Sequence, residues 1–191
     1  MLLALIAVLV FWVIGAHGRL AELRSGLKSA YAQIDLQFRR RYDLIPDLVD
    51  AAKGTMKQER ETLDAVIRAH RSALGASAAA AAEPGKRAAM SDLTMAEGRL
   101  SGELGKLFAL AEAYPDLKAN PTMMQLTDAL AGTDGKIAFA RQAFNQAVLD
   151  FNIAVREFPT SILAVAFSFH AAEPLQAGSA GDQRRPAKSQ Y

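Results

Sequence analysis

The first sixteen residues of the chain contain no charged or strongly polar side chain. Extended to Gly18, this run reaches about the lower limit of length for a helix that spans a hydrocarbon core of ~30 Å. Apolar residues then recur at three- and four-residue spacing from Leu20 to Phe38, which predicts an amphipathic helix that continues directly from the run. Residues 1–18 are therefore predicted to anchor the chain in a membrane.

A cleaved signal peptide is the alternative for this segment, because Ala16-His17-Gly18 matches a small-x-small cleavage pattern. However, no Lys or Arg precedes the apolar run, and the run leads into helical periodicity, so we favour an uncleaved anchor. Arg19, Arg24 and Lys28 follow it closely. The positive-inside rule then predicts a single-pass protein whose main domain is cytoplasmic.

The composition restricts both the fold and the function. The chain has no cysteine, which excludes disulfides, thiolate zinc sites and cysteine nucleophiles. Its 22 basic and 20 acidic residues leave a net charge of +2, which is too balanced to indicate a nucleic-acid-binding surface. Alanine is abundant and aromatic residues make up only 7% of the chain. This bias favours tightly packed helices, and we predict an all-α protein.

The most distinctive segment is residues 39–49, where Arg39, Arg40 and Arg41 precede Asp43 and Pro46 inside a helical pattern. Asp43 is a candidate N-cap with Pro46 in the first turn; alternatively, Pro46 kinks a continuous helix. Consecutive helical positions point about 100° apart, so the three arginines cannot all face solvent, and at least one is expected to pair with an internal carboxylate. From residue types alone, a solvated basic turn beside a bend is favoured over a binding site.

Three long helices and one short helix are predicted to form an antiparallel bundle beyond the anchor. The first long helix is expected to fray in the alanine- and serine-rich stretch 72–83, before a turn at residues 83–86 that forms the distal tip. The second runs over residues 86–113. Segment 114–121, which contains Tyr114, Lys118 and Asn120, stops it because Pro115 and Asn120-Pro121 favour turns.

A short helix over residues 122–131 is predicted to precede the last long helix, for which Thr133 is the expected N-cap. Arg141, Asn145, Val148 and Asn152 form a stripe on this helix, about 100° from a stripe of phenylalanines. Each asparagine would cost roughly 1 to 3 kcal/mol if buried without a partner, so both are expected to bond to neighbouring helices. We favour such a register-fixing ladder over a polar binding groove.

The end of the chain divides into two parts. Residues 160–169 are apolar but too short to span a membrane, and they are expected to pack near the anchor or to lie in the interface. From Ala171 the composition turns to Gly, Ser, Gln, Pro and Arg, which cannot bury enough surface to fold alone. The predicted organisation is an anchor over 1–18, a helical bundle over 19–170 and a disordered tail over 171–191.

In this order, the segments resemble the LemA family of bacterial membrane proteins from about Arg19 to Phe169. The matching positions are Gln33-Ile34-Asp35, Gln37, Arg39-Arg40, Asp43-Leu44-Ile45-Pro46, Leu48-Val49, Lys53, Glu112, Tyr114-Pro115-Asp116-Leu117-Lys118-Ala119-Asn120, Lys136-Ile137, Arg141, Asn145, Val148, Asn152 and Phe158-Pro159. The chain departs from the family pattern at Phe144, where tyrosine is usual, at Asp134, where glutamate is frequent, and at Met124, where phenylalanine is common.

The resemblance implies a bacterial inner-membrane protein with an N-terminal anchor and a long helical bundle, and it implies no enzyme, metal or cofactor. We predict a scaffold or adaptor that binds a partner protein or organises membrane assemblies, and the sequence leaves open whether it forms homo-oligomers. The candidate partner-binding or structural positions are Arg39, Arg40, Arg41, Asp43, Pro46, Tyr114, Lys118, Asn120, Arg141, Asn145 and Asn152.

Two alternatives have weaker support. A sensor bundle would bind a small anion at Arg39–Arg41, where arginine forks and a helix dipole suit such a ligand. An enzyme is disfavoured because the histidines at 17, 70 and 170 are dispersed. The chain also contains no His-Glu-x-x-His, no Gly-x-Ser-x-Gly and no phosphate-binding loop.

Overall fold

The computed structural model describes residues 1–56 and 58–177, and these ranges contain helices and no strands. The helices are α1 (Leu2–Lys53), α2 (Arg60–Ala82), α3 (Arg87–Ala111), α4 (Pro115–Lys118), α5 (Pro121–Arg156) and α6 (Thr160–Ala166). The predicted all-α class is confirmed. Four of these helices are long and two are short. The sequence predicts three long helices, and the structure has a fourth because α1 and α2 are separate.

The four long helices form a bundle in which the chain runs up, down, up and down. Helix α1 packs along α5 and α2, and α2 packs along α3. The ring of Tyr31 in α1 meets that of Phe144 in α5 at 5.5 Å between centroids. Ser77 of α2 donates a hydrogen bond to Asp35 of α1 at 3.3 Å. These pairings set α1 antiparallel to both neighbours, and the buried apolar faces of all four helices form one continuous core.

Helix α1 extends from the apolar run to the far end of the bundle without a break. Its 52 residues correspond to about 78 Å at 1.5 Å per residue. Asp43 and Pro46 lie inside it, so the alternative in which the helix continues through Pro46 is confirmed and Asp43 is not an N-cap. Pro46 is exposed while Ile45, Leu48 and Val49 are buried, and this packing on the inner face keeps the helix continuous despite the missing N–H.

The first part of α1 is hardly covered by the rest of the protein. Helix α1 is the one helix in the described ranges that is long and apolar enough to cross a membrane, and only 6% of its apolar stretch is buried. Leu3 and Phe11 are 82% and 83% exposed, whereas Leu20 is fully buried. The boundary between the two environments therefore falls near residues 16–19, where the anchor is predicted to end.

The structure corrects the predicted course of α2. The chain breaks the helix at residues 54–59, and α2 then continues to Ala82 instead of fraying in its alanine-rich stretch. Ala73, Ser77 and Ala80 are buried there, because small side chains allow close approach of the neighbouring helices. The turn at residues 83–86 lies beside Leu27, at the membrane-proximal end of the bundle, so its assignment to the distal tip is wrong.

Helix α5 also differs from the prediction, since the expected short helix and last long helix are one element. Thr133 is a buried interior residue whose Oγ1 donates to the carbonyl of Leu130 at 2.6 Å, and it is not an N-cap. Asn120 caps α5 instead, accepting hydrogen bonds from the backbone N–H groups of Thr122 and Met123. Packing of Leu130, Thr133 and Ile137 against the core outweighs the low helix propensity of Gly132 and Gly135.

Helix α6 packs against the foot of α1, in agreement with the expectation that residues 160–169 lie near the anchor. Leu20, Ala154 and Ala164 form a small buried cluster there. The rings of His17 and Phe167 are 4.8 Å apart. On the outer side Ile162 and Val165 are 62% and 83% exposed, which places apolar side chains beside the exposed apolar part of α1.

Residues 171–177 follow the bundle in a non-helical path, although the sequence predicts a disordered tail from Ala171. Leu175 is 2% exposed within the main core. The prediction is wrong here because two asparagines of α5 supply hydrogen-bond partners to this segment, and composition does not reveal them. The remainder of the expected tail, residues 178–191, lies outside the described residues.

Gly85 is required where the α2–α3 turn meets this segment. Its φ is +84°, and a Cβ on it would lie 2.8 Å from the Cβ of Ala172. We expect Gly85→Ala to lower the free energy of unfolding by more than about 1 kcal/mol, because both the backbone conformation and the space exclude a methyl group. Urea unfolding of the full chain in detergent, followed by circular dichroism, measures the change.

Gly75→Ala is the matched control. Gly75 lies inside α2, and a Cβ on it would meet no neighbouring group within 4 Å, so alanine is expected to raise stability by up to about 1 kcal/mol. Equal effects of the two substitutions would show that Gly85 has no special role.

Candidate functional site: a buried arginine and an asparagine clasp

Arg41 connects three helices in the interior of the bundle. It is 8% exposed, and its Nη1 lies 3.3 Å from Glu97 Oε2 of α3 and 3.3 Å from Asp134 Oδ1 of α5. Its Nη2 donates a hydrogen bond to Ser101 Oγ at 3.1 Å. The expectation that one of the three arginines pairs with an internal carboxylate is therefore confirmed, and the basic turn is only partly solvated.

Tyr42 completes this group, which we call the arginine cluster (Arg41, Tyr42, Glu97, Ser101 and Asp134). Its hydroxyl donates to Glu97 Oε1 at 2.5 Å. Burial raises the pKa of Glu97, while the Tyr42 hydrogen bond and the Arg41 charge oppose that rise. Burial and the nearby Glu97 also raise the pKa of Tyr42, so the phenol stays protonated and acts as a donor.

The other candidate residues of segment 39–49 are exposed. Arg39 forms an ion pair with Asp35 one turn earlier at 2.8 Å, and its side chain is 68% exposed. Arg40, Asp43 and Pro46 are also at the surface. The three consecutive arginines thus divide into one interior residue and two surface residues, as the 100° spacing of helical positions requires.

A cleft of about 260 Å³ opens beside the arginine cluster, bordered by Arg41, Glu97, Asp134 and Arg141. Two carboxylates already neutralise Arg41, so an anion entering the cleft would displace or oppose them. The geometry therefore does not favour the anion-sensor alternative.

His17 and His70 lie in different parts of the bundle. His17 is at the foot of α1, and His70 is in α2 beside Tyr42.

Asn145 and Asn152 of α5 bind the backbone of the C-terminal segment, an arrangement we call the asparagine clasp. Asn152 Nδ2 donates to the carbonyl of Ala172 at 2.8 Å, and the N–H of Ala172 donates to Asn152 Oδ1 at 2.7 Å. Asn145 makes the same pair of bonds with Leu175, at 3.1 and 2.9 Å. Both amides are satisfied without contacting a neighbouring helix, so the predicted interhelical ladder is wrong.

The opposite side of the segment contacts the α2–α3 turn. The N–H of Glu173 donates to the carbonyl of Gly85 at 2.7 Å. The carboxylate of Glu173 lies 3.3 Å from Arg87 Nε. The segment is thus held between α5 on one side and residues 85–87 on the other.

The remaining candidate residues lie at the far end of the bundle. The Tyr114 hydroxyl donates to Glu59 at 3.4 Å, which joins the α1–α2 connection to the segment after α3. Asn120 caps α5. Lys118 is exposed and borders a cleft of about 240 Å³ with Phe108 and Met123. These positions lie far along the bundle from the clasp, so the predicted residues do not form one site.

Sequence reasoning did not identify Glu97, Gly85 or Leu175. Glu97 carried a usable signal, because it occupies a core position of α3 between Leu93 and Leu100. An acidic residue in an apolar stripe requires an internal partner. Gly85 lies in the predicted turn at residues 83–86, but its contact with Ala172 and the burial of Leu175 depend on distant parts of the chain, and nothing local reveals them.

Replacing Arg41 tests the arginine cluster. Arg41→Ala leaves the Glu97 carboxylate buried without its cation and is expected to lower the free energy of unfolding by about 3 to 5 kcal/mol. Arg40→Ala, one residue away at the surface, should change it by less than about 0.5 kcal/mol. Denaturant unfolding of both variants in detergent measures the difference, and a small effect at Arg41 would contradict the assignment.

The effect of Arg41→Ala should depend on pH. A carboxyl whose pKa is higher in the folded state than in the unfolded state stabilises the fold most at a pH below its pKa in the unfolded state. That contribution is lost as the pH rises through its pKa in the folded state. Without Arg41 the pKa of Glu97 rises further, so the destabilisation should be largest at neutral pH and should shrink as Glu97 becomes protonated in acid. A pH-independent loss would mean that Glu97 does not carry the effect.

The chain is similar to curated magnetosome proteins over part of its length. Over 87 residues the chain is 32% identical to magnetosome proteins MamQ 1 and MamQ 2 of Paramagnetospirillum magneticum and 30% identical to magnetosome protein MamQ of Magnetospirillum gryphiswaldense. Each alignment covers 46% of this chain and 32% of the relative, so the chain spans about a third of the length of these relatives. The model of the LemA family matches residues 30–189, and the chain belongs to the LemA family.

Proposed function

We propose that this membrane-associated helical protein is a non-catalytic adaptor whose bundle binds a partner protein at a bacterial inner membrane. Neither the family description nor the names of the matched relatives refers to an enzyme activity, which supports a binding role. The exposed Arg19, Arg24 and Lys28 follow the apolar part of α1 and support a cytoplasmic bundle.

An exposed apolar face on α5 carries this proposal. Phe139, Leu149 and Ile153 are 76%, 51% and 54% exposed. At 100° per residue they lie within about 80° of one another around the helix axis, and Gln142 and Gln146, which are uncharged, lie between them. Grouped apolar side chains that a folded domain leaves in water indicate a surface for another macromolecule.

The rest of the bundle is suited to present this face at a fixed position. Helix α1 passes from the predicted membrane span into the core without a break, and α6 packs against its foot. Arg40 and the loop over residues 112–120 provide further exposed groups on this rigid support, where recognition residues commonly lie. We include both in the proposed partner surface.

Crosslinking in native membranes tests the proposal. The full chain is crosslinked, purified by affinity and analysed by mass spectrometry, alongside Phe139→Ser, Ile153→Ser and a version without residues 1–18. We expect a discrete partner with the full chain, a loss of at least tenfold in its yield for the two α5 variants, and no partner without the anchor. Arg40→Ala should also reduce the yield while leaving the fold intact.

Leu74→Ser is the control for the two α5 variants, since it makes a similar change at a 42% exposed residue on α2. It should leave the partner yield unchanged. Equal recovery of the partner from the wild type and both α5 variants would rule out this face, and recovery of self-crosslinks alone would exclude the adaptor role.

A further inference from the structure

The hydrogen bonds that hold residues 172–175 on the bundle are made by the backbone of the segment. Ala172 and Leu175 each use both their N–H and their carbonyl with an asparagine of α5. Glu173 uses its N–H with the carbonyl of Gly85. Pro174 is the one residue of the four without an N–H to satisfy. This is the pattern of a ligand that is recognised as an extended chain.

The spacing of the two asparagines suits extended polypeptide in general. Seven residues of helix separate Asn145 from Asn152, which corresponds to about 10.5 Å at 1.5 Å per residue. Three residues of extended chain separate Ala172 from Leu175 and span about 10 Å at 3.3 Å per residue. Two side-chain amides one heptad apart therefore match backbone groups three residues apart, whatever side chains that backbone carries.

Three contacts favour particular side chains at positions 172, 173 and 175. Leu175 is 2% exposed and belongs to the main apolar core. The Cβ of Ala172 fits only because Gly85 has no side chain. Glu173 pairs with Arg87. The groove thus accepts a small residue, then an acidic residue, and an aliphatic residue three positions after the small one.

The segment that now occupies the groove has few buried side chains of its own, and Phe169 just before it packs against Phe151. His170, Ala171, Gln176 and Ala177 on either side of it are all exposed. Leu175 is the one buried apolar side chain within residues 170–177, and segments with so few buried contacts open more readily than the core. Beyond Leu175, Gln176 and Ala177 border the cleft of about 260 Å³ beside the arginine cluster.

We propose that this groove is a receptor for an extended segment of a partner protein with the pattern small, acidic, any residue, aliphatic, and that residues 171–177 occupy it as an internal competitor. The inference rests on the proposed function, in that it names a kind of partner segment for the bundle. The groove differs from the part of the α5 face that contains Phe139, because Asn145 and Asn152 point about 120° and 140° away from that residue around the helix axis.

Binding of a labelled peptide to the full chain in lipid nanodiscs tests the proposal. The probe is a synthetic peptide with the sequence of residues 168–177. Leu175→Asp in the protein should release the internal segment, because a carboxylate in place of a core leucine is costly to bury. We expect the peptide to bind this variant at least tenfold more tightly than the unsubstituted chain, in which the tethered segment competes at an effective concentration on the order of millimolar.

Further variants test whether the peptide binds at the asparagine clasp. Adding Asn152→Ala to Leu175→Asp should weaken peptide binding at least tenfold, whereas adding Gln146→Ala, an exposed amide on the same helix, should leave it unchanged. A peptide with aspartate in place of Leu175 should not bind. Ala172→Trp is a second way to release the segment, since Gly85 leaves no room for a larger side chain, and helicity measured by circular dichroism confirms that each variant is folded.

Three results would overturn the proposal. The first is no saturable binding of the peptide to either released variant. The second is equal binding with and without Asn152. The third is co-purification of two differently tagged chains that disappears with Leu175→Asp, because the ligand would then be a second copy of this chain. Phe139→Ser should not change peptide binding, so failure of the groove and failure of the partner surface on α5 can be distinguished.

Discussion

The pairing of Arg41 with Glu97 and Asp134 is the interaction on which the arrangement of the bundle depends. It joins α1, α3 and α5 at one level, and Tyr42 binds the same carboxylate from the adjacent position. A buried carboxylate is costly unless it is paired and hydrogen-bonded, so alternative registers that separate Glu97 from Arg41 are strongly disfavoured. Asp134 is 61% exposed in its side chain, which makes Glu97 the partner that most requires the arginine.

Polar groups along α5 serve a different purpose. Asn145 and Asn152 face a segment that is not helical, and each binds both backbone groups of one of its residues. A helix whose own backbone is fully bonded can bind extended polypeptide only through side chains, and a primary amide supplies one donor and one acceptor to each residue it holds. The clasp therefore gives an all-helical protein a means of binding a peptide backbone that proteins with a sheet achieve through an edge strand.

The asparagine clasp lies near the end of the bundle at which the exposed apolar part of α1 leaves it. Residues 168–172, the α2–α3 turn and Arg24 surround one cleft near the foot of the bundle, and the guanidinium of Arg24 lies 5.8 Å from the centre of the Phe169 ring. The same end of the bundle contains α6 with its exposed apolar residues. A segment entering the groove would thus approach from the end at which the exposed apolar part of α1 leaves the bundle, whereas the cleft bordered by Lys118 lies at the opposite end.

The sequence determined the all-α class, the apolar first helix, the division of the three arginines between interior and surface, and membership of the LemA family. Each of these follows from local periodicity, composition or motif order. Tertiary structure decided where the helices end, because packing around Pro46 and Gly132 outweighs the low helix propensity of proline and glycine. The alanine-rich part of α2 stays helical because alanine is a strong helix former and its small side chain allows close packing. It also decided what Glu97, Asn145 and Asn152 bind. A buried polar side chain reveals in sequence that it needs a partner, but a carboxylate or an amide bonds equally well to any suitable group, and only the folded chain brings that group within reach.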